Sequence, residues 1–374
     1  MRDEELQRYN RQVILPDIGR DGQEKLLAAR VLCIGAGGLG SPAALYLAAA
    51  GIGTLGLIDD DRVDLSNLQR QVLFASQDAG TPKAEAGQRR LQQLNPLIRI
   101  NSHNLRLNAA NAEAIFSQYD LVLDGSDNFA TKFLVNDCAV KLGMPLVYGS
   151  ILGFDGQMAV FWADEGPCYR CMLPKPPSGY VPNCAEAGVI GAVAGVIGCM
   201  QALEAIKLIV GGKQWRQQRL RPMVGKLCLL STHDWQQTQI DIPKNPACPC
   251  CSLPPAQIEL VDEVVAACAL TPVNEISAAQ FHSLSQPLLL DVRSPAEFAR
   301  GHLPTAINLP LDQLPDHPAL AQLDPQRSCV VYCQSGGRSR RAIALLEQHG
   351  FTRLYNLEGG LALWPGALST PTDA

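Results

Sequence analysis

Residues 31–34 form an apolar run that ends in GAGGLG, and a second apolar stretch, residues 42–50, follows at once. A buried strand, a glycine turn and an apolar helix in that order commit this part of the chain to a strand–helix–strand unit. The second strand is expected at Thr54–Ile58, which implies parallel pairing in an open sheet. Gly35, Gly37 and Gly40 fit G-x-G-x-x-G, with glycines for the tight turn and for close approach of phosphates to a helix N-terminus. Asp59 ends the second strand, where a ribose-binding acid would lie. Taken alone, the loop reads first as a dinucleotide site, with another nucleotide or a plain structural turn as alternatives.

The residues downstream turn the reading away from a nicotinamide dehydrogenase. DDDRVDLSNLQRQ sets Asn67, Gln69 and Arg70 just past the strand end, and TPKAEA supplies Lys83 near the start of the next helix. Two cations and amide side chains on one rim suit a triphosphate better than a pyrophosphate bridge. LVLDGSDN ends another strand in acids, and a carboxylate such as Asp127 would hold magnesium against phosphates. Helix capping by Ser126 or Asp127 is the structural alternative. Further strands are expected at residues 98–102, Leu121–Asp124, 146–149 and 157–162, with helices at Lys83–Leu94 and Ala109–Phe116. This alternation describes a doubly wound, Rossmann-like α/β domain.

RYNRQ, GAGGLGSP, LIDDDRVDLSNLQRQ, TPK and DGSDN together resemble the MoeB/ThiF family, bacterial relatives of ubiquitin-activating enzymes, over about residues 1 to 251. The resemblance implies an adenylyltransferase. The C-terminal carboxylate of a small ubiquitin-like sulfur carrier ending in Gly-Gly attacks the α-phosphate of ATP, and pyrophosphate leaves without any redox step. Carried over by position, it implies that Gly35, Gly37, Gly38, Gly40 and Asp59 hold the nucleotide, Asp59 through the ribose. Ser66, Asn67, Leu68, Gln69, Arg70 and Lys83 would line the phosphates. Asp127 would organise Mg2+, with Asn128 beside it in the nucleotide site. Arg11 in RYNRQ resembles an arginine given across a dimer interface to the neighbouring subunit's ATP, which implies a homodimer; standing alone it reads as a surface arginine.

The chain has 13 cysteines, and its charged N-terminus, MRDEELQRYNRQ, lacks the apolar core of a secretory signal. A cytoplasmic protein is expected, so the cysteines point to metal and sulfur chemistry instead of a disulfide framework. CYRC and CPCC set Cys168 and Cys171, then Cys248 and Cys251, as two C-x-x-C knuckles, able to supply four thiolates in a tetrahedron around zinc or to act as a redox pair. The family resemblance favours zinc, in a structural role because four ligands leave no open position. Cys250 is an extra thiol in the second knuckle. Cys184, in VPNCAEAGVIG, precedes an apolar helix, where a thiol ionises more easily. It resembles the cysteine that some family members use for a thioester or persulfide-linked intermediate; packing is the other reading. Cys33, Cys138, Cys199, Cys228, Cys268 and Cys329 read as small core residues. The uncharged run 187–200 is shorter than the roughly 20 residues that span a bilayer and reads as a buried helix. A net charge of −5 offers no basic field to nucleic acid or an anionic membrane.

After Cys251 the stretch SLPPAQIELVDEVVAACALTPV shows no clear period, so residues 252–273 read as a linker between domains at 1–251 and 274–374. The second domain repeats an α/β pattern, with strands at 288–292 and 329–333 and a helix at 338–349. In CVVYCQSGGRSRR a short loop opens with Cys333 and runs into the helix, aiming backbone N–H groups and a helix dipole at the sulfur while Arg338 adds positive charge. With LLLDVRSPAEFARGHLPTAINLPLDQL before it, this half resembles a single-domain rhodanese from about residue 274 to 366. Cys333 would then carry sulfur as a persulfide, taken from a persulfide or thiosulfate donor. A cysteine-dependent phosphatase is the alternative, but only four residues separate Cys333 from Arg338, one fewer than that pattern needs. The smaller cradle suits sulfur. Asp291 and Arg293 read as a structural ion pair and turn. The whole is expected to be a carrier-activating adenylyltransferase with sulfurtransferase activity, acting in molybdopterin synthesis. A thiamine, tRNA-thiolation or other sulfur-pathway carrier is the alternative, and a non-catalytic carrier-binding scaffold the reading from a different class.

Overall fold

A computed structural model describes residues 1–177, 188–217, 219–262, 273–281, 284, 287–314, 317–334 and 336–370. The chain divides into two compact units, Met1–Val265 and Ala266–Ala374.

The first unit opens with helices α1 (Asp3–Val13) and α2 (Gly19–Ala28), then alternates β1 (Arg30–Ile34), α3 (Gly40–Ala50), β2 (Thr54–Ile58), α4 (Lys83–Leu94), β3 (Arg99–His103), α5 (Ala109–Phe116), β4 (Leu121–Asp124), α6 (Phe129–Lys141) and β5 (Leu146–Leu152). Strand β6 (Asp155–Phe161), the short helix α7 (Tyr169–Met172), the long helix α8 (Gly191–Gly211), β7 (Lys226–Ser231) and β8 (Gln236–Asp241) complete it. One sheet of order β3-β2-β1-β4-β5-β6-β7-β8 results. Its first five strands are parallel, and the last three fold back antiparallel.

Parallel strands covered by helices on both faces must be apolar on both, and β1 divides its residues accordingly. Val31 and Cys33 join the layer with α3 and α8, while Leu32 and Ile34 join the layer with α5 and α6. Helix α8 is apolar nearly all round because it is core: it packs along α3 and beneath β5 and β6. The segment Gly191–Gln217 is long and apolar enough by composition to cross a membrane, yet just over half of its most apolar window is buried within the unit. Cys33, Cys138 and Cys228 are buried and Cys199 half-buried. Cys268 lies outside the described residues.

The order of strands reverses at β1, which pairs with β2 on one side and β4 on the other. A crevice opens beyond the carboxyl ends of strands at such a switch point. Gly35 turns the chain there with φ +82°, and the next helix passes so close that a Cβ on Gly40 would run into the Gly35 carbonyl oxygen. The stretch expected to be a linker is in part packed on this unit. Ile258 is buried against Cys168, Cys248 and Cys250, and Asp262 Oδ1 accepts a hydrogen bond from the Ala109 N–H.

The second unit is a parallel sheet of order β11-β10-β12-β13-β9, built from β9 (Asn274–Ile276), β10 (Leu288–Asp291), β11 (Ile307–Asn308), β12 (Cys329–Tyr332) and β13 (Leu354–Leu357). Its helices are α9 (Ala278–Phe281), α10 (Pro295–Ala299) and α11 (Gly337–Gln348). Both faces of β12 are buried, Cys329 and Val331 on one side and Val330 and Tyr332 on the other. Asp291 and Arg293 form a fully buried pair, Nε and Nη2 donating to the carboxylate at 2.6 to 3.0 Å, and Nη2 also donates to the Gly301 carbonyl at 2.7 Å. They tie the end of β10 to the loop after α10, as expected.

Replacing Gly40 with Ala should destabilise the first unit by roughly 3 kcal/mol or more, since backbone must move to admit the methyl group. Thermal unfolding followed by circular dichroism checks this; a melting temperature unchanged from the parent chain would contradict the packing.

Candidate functional site

A cavity of about 730 Å³ sits at the carboxyl ends of β1, β2 and β4. Gly35, Gly37, Gly38, Asp59, Asn67, Arg70, Lys83, Asp127 and Asn128 all line it. Four separate stretches of sequence thus meet on one rim because each follows a strand or opens a helix at the same end of the sheet. Asp59 Oδ2 accepts from the Ala36 N–H at 2.8 Å and Oδ1 from the Asp61 N–H at 3.0 Å. Burial raises its carboxyl above the ordinary range, opposed by Lys83 and these two N–H groups. Lys83, itself buried, donates to Asp61 Oδ2 at 2.7 Å and lies 4.0 Å from Asp59 Oδ1. Arg70 Nη2 donates to Asn67 Oδ1 at 2.8 Å. These cations and N–H groups suit a polyanion.

Several other expected residues do not line the cavity. Gly40 serves the close packing under Gly35. The Ser66 hydroxyl donates to Asp64 Oδ1 at 2.5 Å, closing a single turn at Leu65–Asn67. Leu68 packs against the core, and the Gln69 carbonyl lies where Gly191, at the start of α8, leaves room for it. Arg11 is exposed in the last turn of α1 and does not line the cavity of its own chain. Asp127 is exposed and free to face a ligand, while the cap of α6 is made by Asn128, whose Oδ1 accepts from the Thr131 N–H at 2.9 Å. Cys184 lies outside the described residues.

Lys132, Gln71 and Asp61 also line the cavity, and none is singled out by the sequence motifs. Lys132, buried one turn into α6, donates to Asp124 Oδ2 and to the Gly149 carbonyl, both at 2.9 Å, and lies 4.8 Å above the Tyr148 ring. Burial would lower its pKa, but Asp124 and Tyr148 more than offset this and hold it above the ordinary lysine value. Asp124 Oδ1 in turn accepts from the N–H and hydroxyl of Ser126. Gln71 is buried with its Oε1 unpartnered, and Asp61 holds Lys83.

Beside this cavity Cys168, Cys171, Cys248 and Cys251 converge, all sulfurs within 4.8 Å of one another. Cys168 and Cys248 are 3.5 Å apart, Cys171 and Cys251 3.4 Å, Cys168 and Cys171 4.0 Å. The residues between the first pair anchor them. Tyr169 packs on Phe133, Tyr148 and Phe161, and Arg170 makes a buried bidentate pair with Asp137 at 2.6 and 2.7 Å. Tyr169, Met172 and Leu173 then form part of the cavity wall. Cys250 is buried alongside and is not one of the converging four.

In the second unit Cys333 follows β12 and is buried. Its sulfur accepts from the Gly336 N–H at 3.2 Å and the Ser339 hydroxyl at 3.5 Å. Gly336, at φ +95°, caps α11, whose N-terminus faces the sulfur. Leu361 N–H donates to the Cys333 carbonyl at 3.0 Å, fixing the loop from below. Arg338 is turned onto Glu297, a residue no motif had marked.

Residues 9–250 match the ThiF family and residues 276–367 the rhodanese-like domain. The chain is 41% identical over 378 residues to the probable adenylyltransferase/sulfurtransferase MoeZ of Mycobacterium tuberculosis, across 96% of this chain and 93% of that protein. It is 50% identical over 266 residues to the sulfur carrier protein adenylyltransferase of Thermus thermophilus, across 69% of this chain and 95% of that one. To the adenylyltransferase and sulfurtransferase MOCS3 of Drosophila grimshawi it is 44% identical over 384 residues, across 96% and 84%. Among solved structures, Escherichia coli MccB with ATP superposes with a TM-score of 0.54 at 23% identity over 62% of this chain and 70% of that one, a likeness of fold.

Lys132→Met should cost about 3 kcal/mol, because it strands the Asp124 carboxylate in the core, and adding Asp124→Asn should recover part of the loss. Denaturant unfolding of the parent chain and the two variants tests this; an effect under about 1 kcal/mol for the single change would contradict a structural ion pair.

Proposed function

The chain belongs to the ThiF family, and from that premise we propose that it adenylylates the C-terminal glycine of a small ubiquitin-like sulfur carrier and converts that carboxyl group to a thiocarboxylate with sulfur carried on Cys333. Adenylyltransfer and sulfurtransfer are the activities for which its relatives are named. The observation that carries the reading is the convergence of Arg70, Lys83 and Asp127 with the glycine loop on one cavity.

A carboxylate is a weak nucleophile and ATP a polyanion, so the site must neutralise charge and hold the two in line. Arg70 and Lys83 face the phosphates, N–H groups of the glycine loop hold them, and Asp59 takes the ribose. Asp127 would hold Mg2+, which would supply positive charge to offset that of the phosphate oxygens. Attack on the α-phosphate forms the acyl-adenylate and expels pyrophosphate. The outer sulfur of a Cys333 persulfide then attacks the acyl carbon and AMP leaves. A second thiolate attacks Cys333 Sγ, freeing the thiocarboxylate and leaving a disulfide. Tethering both units in one chain raises the effective concentration of the sulfur donor near the activated tail.

Arg11 reaches the neighbouring subunit's nucleotide in a homodimer, and the protein works in the cytoplasm. The carrier is that of molybdopterin synthesis, a reading that follows the MoeB-type resemblance; a thiamine or tRNA-thiolation carrier would undergo the same chemistry. Zinc suits the four converging thiols. A zinc–sulfur distance of about 2.3 Å gives tetrahedral edges of about 3.8 Å, close to the separations here. Zinc held there would steady Tyr169, Met172 and Leu173 in the cavity wall without entering the reaction.

Asp127→Ala should reduce carrier-dependent exchange between pyrophosphate and ATP by at least about a hundredfold while sparing sulfur transfer through Cys333, and Cys333→Ala should do the reverse. Loss of both activities in either folded variant would overturn this division of labour. Cys171→Ser should lower the zinc content measured by atomic absorption; undiminished metal would count against the assigned ligands.

A further inference from the structure

Arg338 stands beside Cys333 but directs its guanidinium at Glu297. Nη1 donates to Oε2 at 2.8 Å and Nη2 to Oε1 at 2.7 Å, a bidentate pair. Glu297 is braced from behind, since the N–H and hydroxyl of Ser294 both donate to Oε2 at 3.0 Å. The two side chains are 23% and 22% exposed, so the pair sits where an incoming solute meets it. Arg338, first of all, holds the Glu297 carboxyl down at about 2, which keeps it ionised throughout the neutral range. Arg338 is raised first by Glu297 and less by Cys333, as expected of a guanidinium near both.

The charge on Arg338 is therefore matched first by Glu297, and only its lesser interaction is with Cys333. Among the described residues, an anion on Cys333 otherwise meets the Gly336 N–H, the Ser339 hydroxyl and the N-terminal dipole of α11, a partial positive charge of about half a unit. That supply suits one negative charge. A donor with two must either crowd the Glu297 carboxylate or draw Arg338 away and leave Glu297 unpaired.

We infer that Glu297 is a specificity-determining residue: by clamping Arg338 it makes the Cys333 loop select persulfide donors carrying at most one negative charge over a dianionic donor such as thiosulfate. The inference rests on the sulfurtransferase reading of Cys333. The transfer itself is balanced for either donor. The Cys333 thiolate attacks the outer sulfur, the donor's sulfur–sulfur bond breaks, and a thiolate or a sulfite leaves with the bonding pair.

The test compares kcat/KM of the full chain for hydroxyethyl persulfide, whose persulfide is its only ionisable group, and for thiosulfate in the parent, Glu297→Gln and Glu297→Asp proteins. Glu297→Gln should raise the thiosulfate-to-persulfide ratio about tenfold, chiefly through a lower KM for thiosulfate, and the gain should shrink in high salt. Glu297→Asp, which keeps the charge, should stay near the parental ratio. A ratio unmoved by Glu297→Gln, or a parallel loss with both donors, overturns the inference and leaves Glu297 a brace only. A parent protein that transfers sulfur from neither donor overturns the reading of Cys333 itself.

Discussion

Helix α3 must pass directly beneath the Gly35 carbonyl for the first unit to close, and that approach admits no side chain at Gly40. The same packing leaves little room above Gly35, where a Cβ would stand 3.1 Å from the Gly125 carbonyl oxygen at the end of β4. Two loops from neighbouring strands are thereby pressed together at the point where strand order reverses. Their consequence is a rim on which backbone N–H groups, Asp59, Arg70, Lys83 and Asp127 face one cavity. Below the rim, the Asp124–Lys132 pair joins β4 to α6 and, through the Gly149 carbonyl, to β5. The charged site is mounted on a charged support, each member of which has its partner.

The parts of this design that contact between neighbours in sequence dictates were legible beforehand. The glycine spacing, the acids ending β2 and β4, and the two C-x-x-C knuckles mark the cavity and the thiol cluster because a tight turn or a chelate imposes short-range residue choices. Strand β8, QQTQID, is exposed along its whole length, so no burial alternation betrayed it. Strands β9 and β11 are too short to carry a pattern. Long-range pairings were equally silent. Nothing local links Glu297 to Arg338 or Arg170 to Asp137. Asn128 proved the cap of α6, where Ser126 or Asp127 had been the structural alternative.

Sulfur appears here in two environments that differ in what neutralises it. Four thiols converge at the cavity wall, an arrangement that a dication would bind tightly and that would freeze the adjoining Tyr169 in place. Cys333 instead faces N–H groups and a helix end, partial charges that steady an anion without capturing it permanently. That contrast matches a structural role for the first and group transfer for the second.

We propose that one chain both energises a carrier's tail and delivers sulfur to it. Mass spectrometry of a carrier ending in Gly-Gly, after incubation with the purified protein, ATP, magnesium, a persulfide donor and a thiol reductant, tests it most directly. The expected product is a carrier in which one terminal oxygen has been exchanged for sulfur, formed only when ATP is present. An unaltered carrier, or sulfur gained equally well without nucleotide, would contradict it.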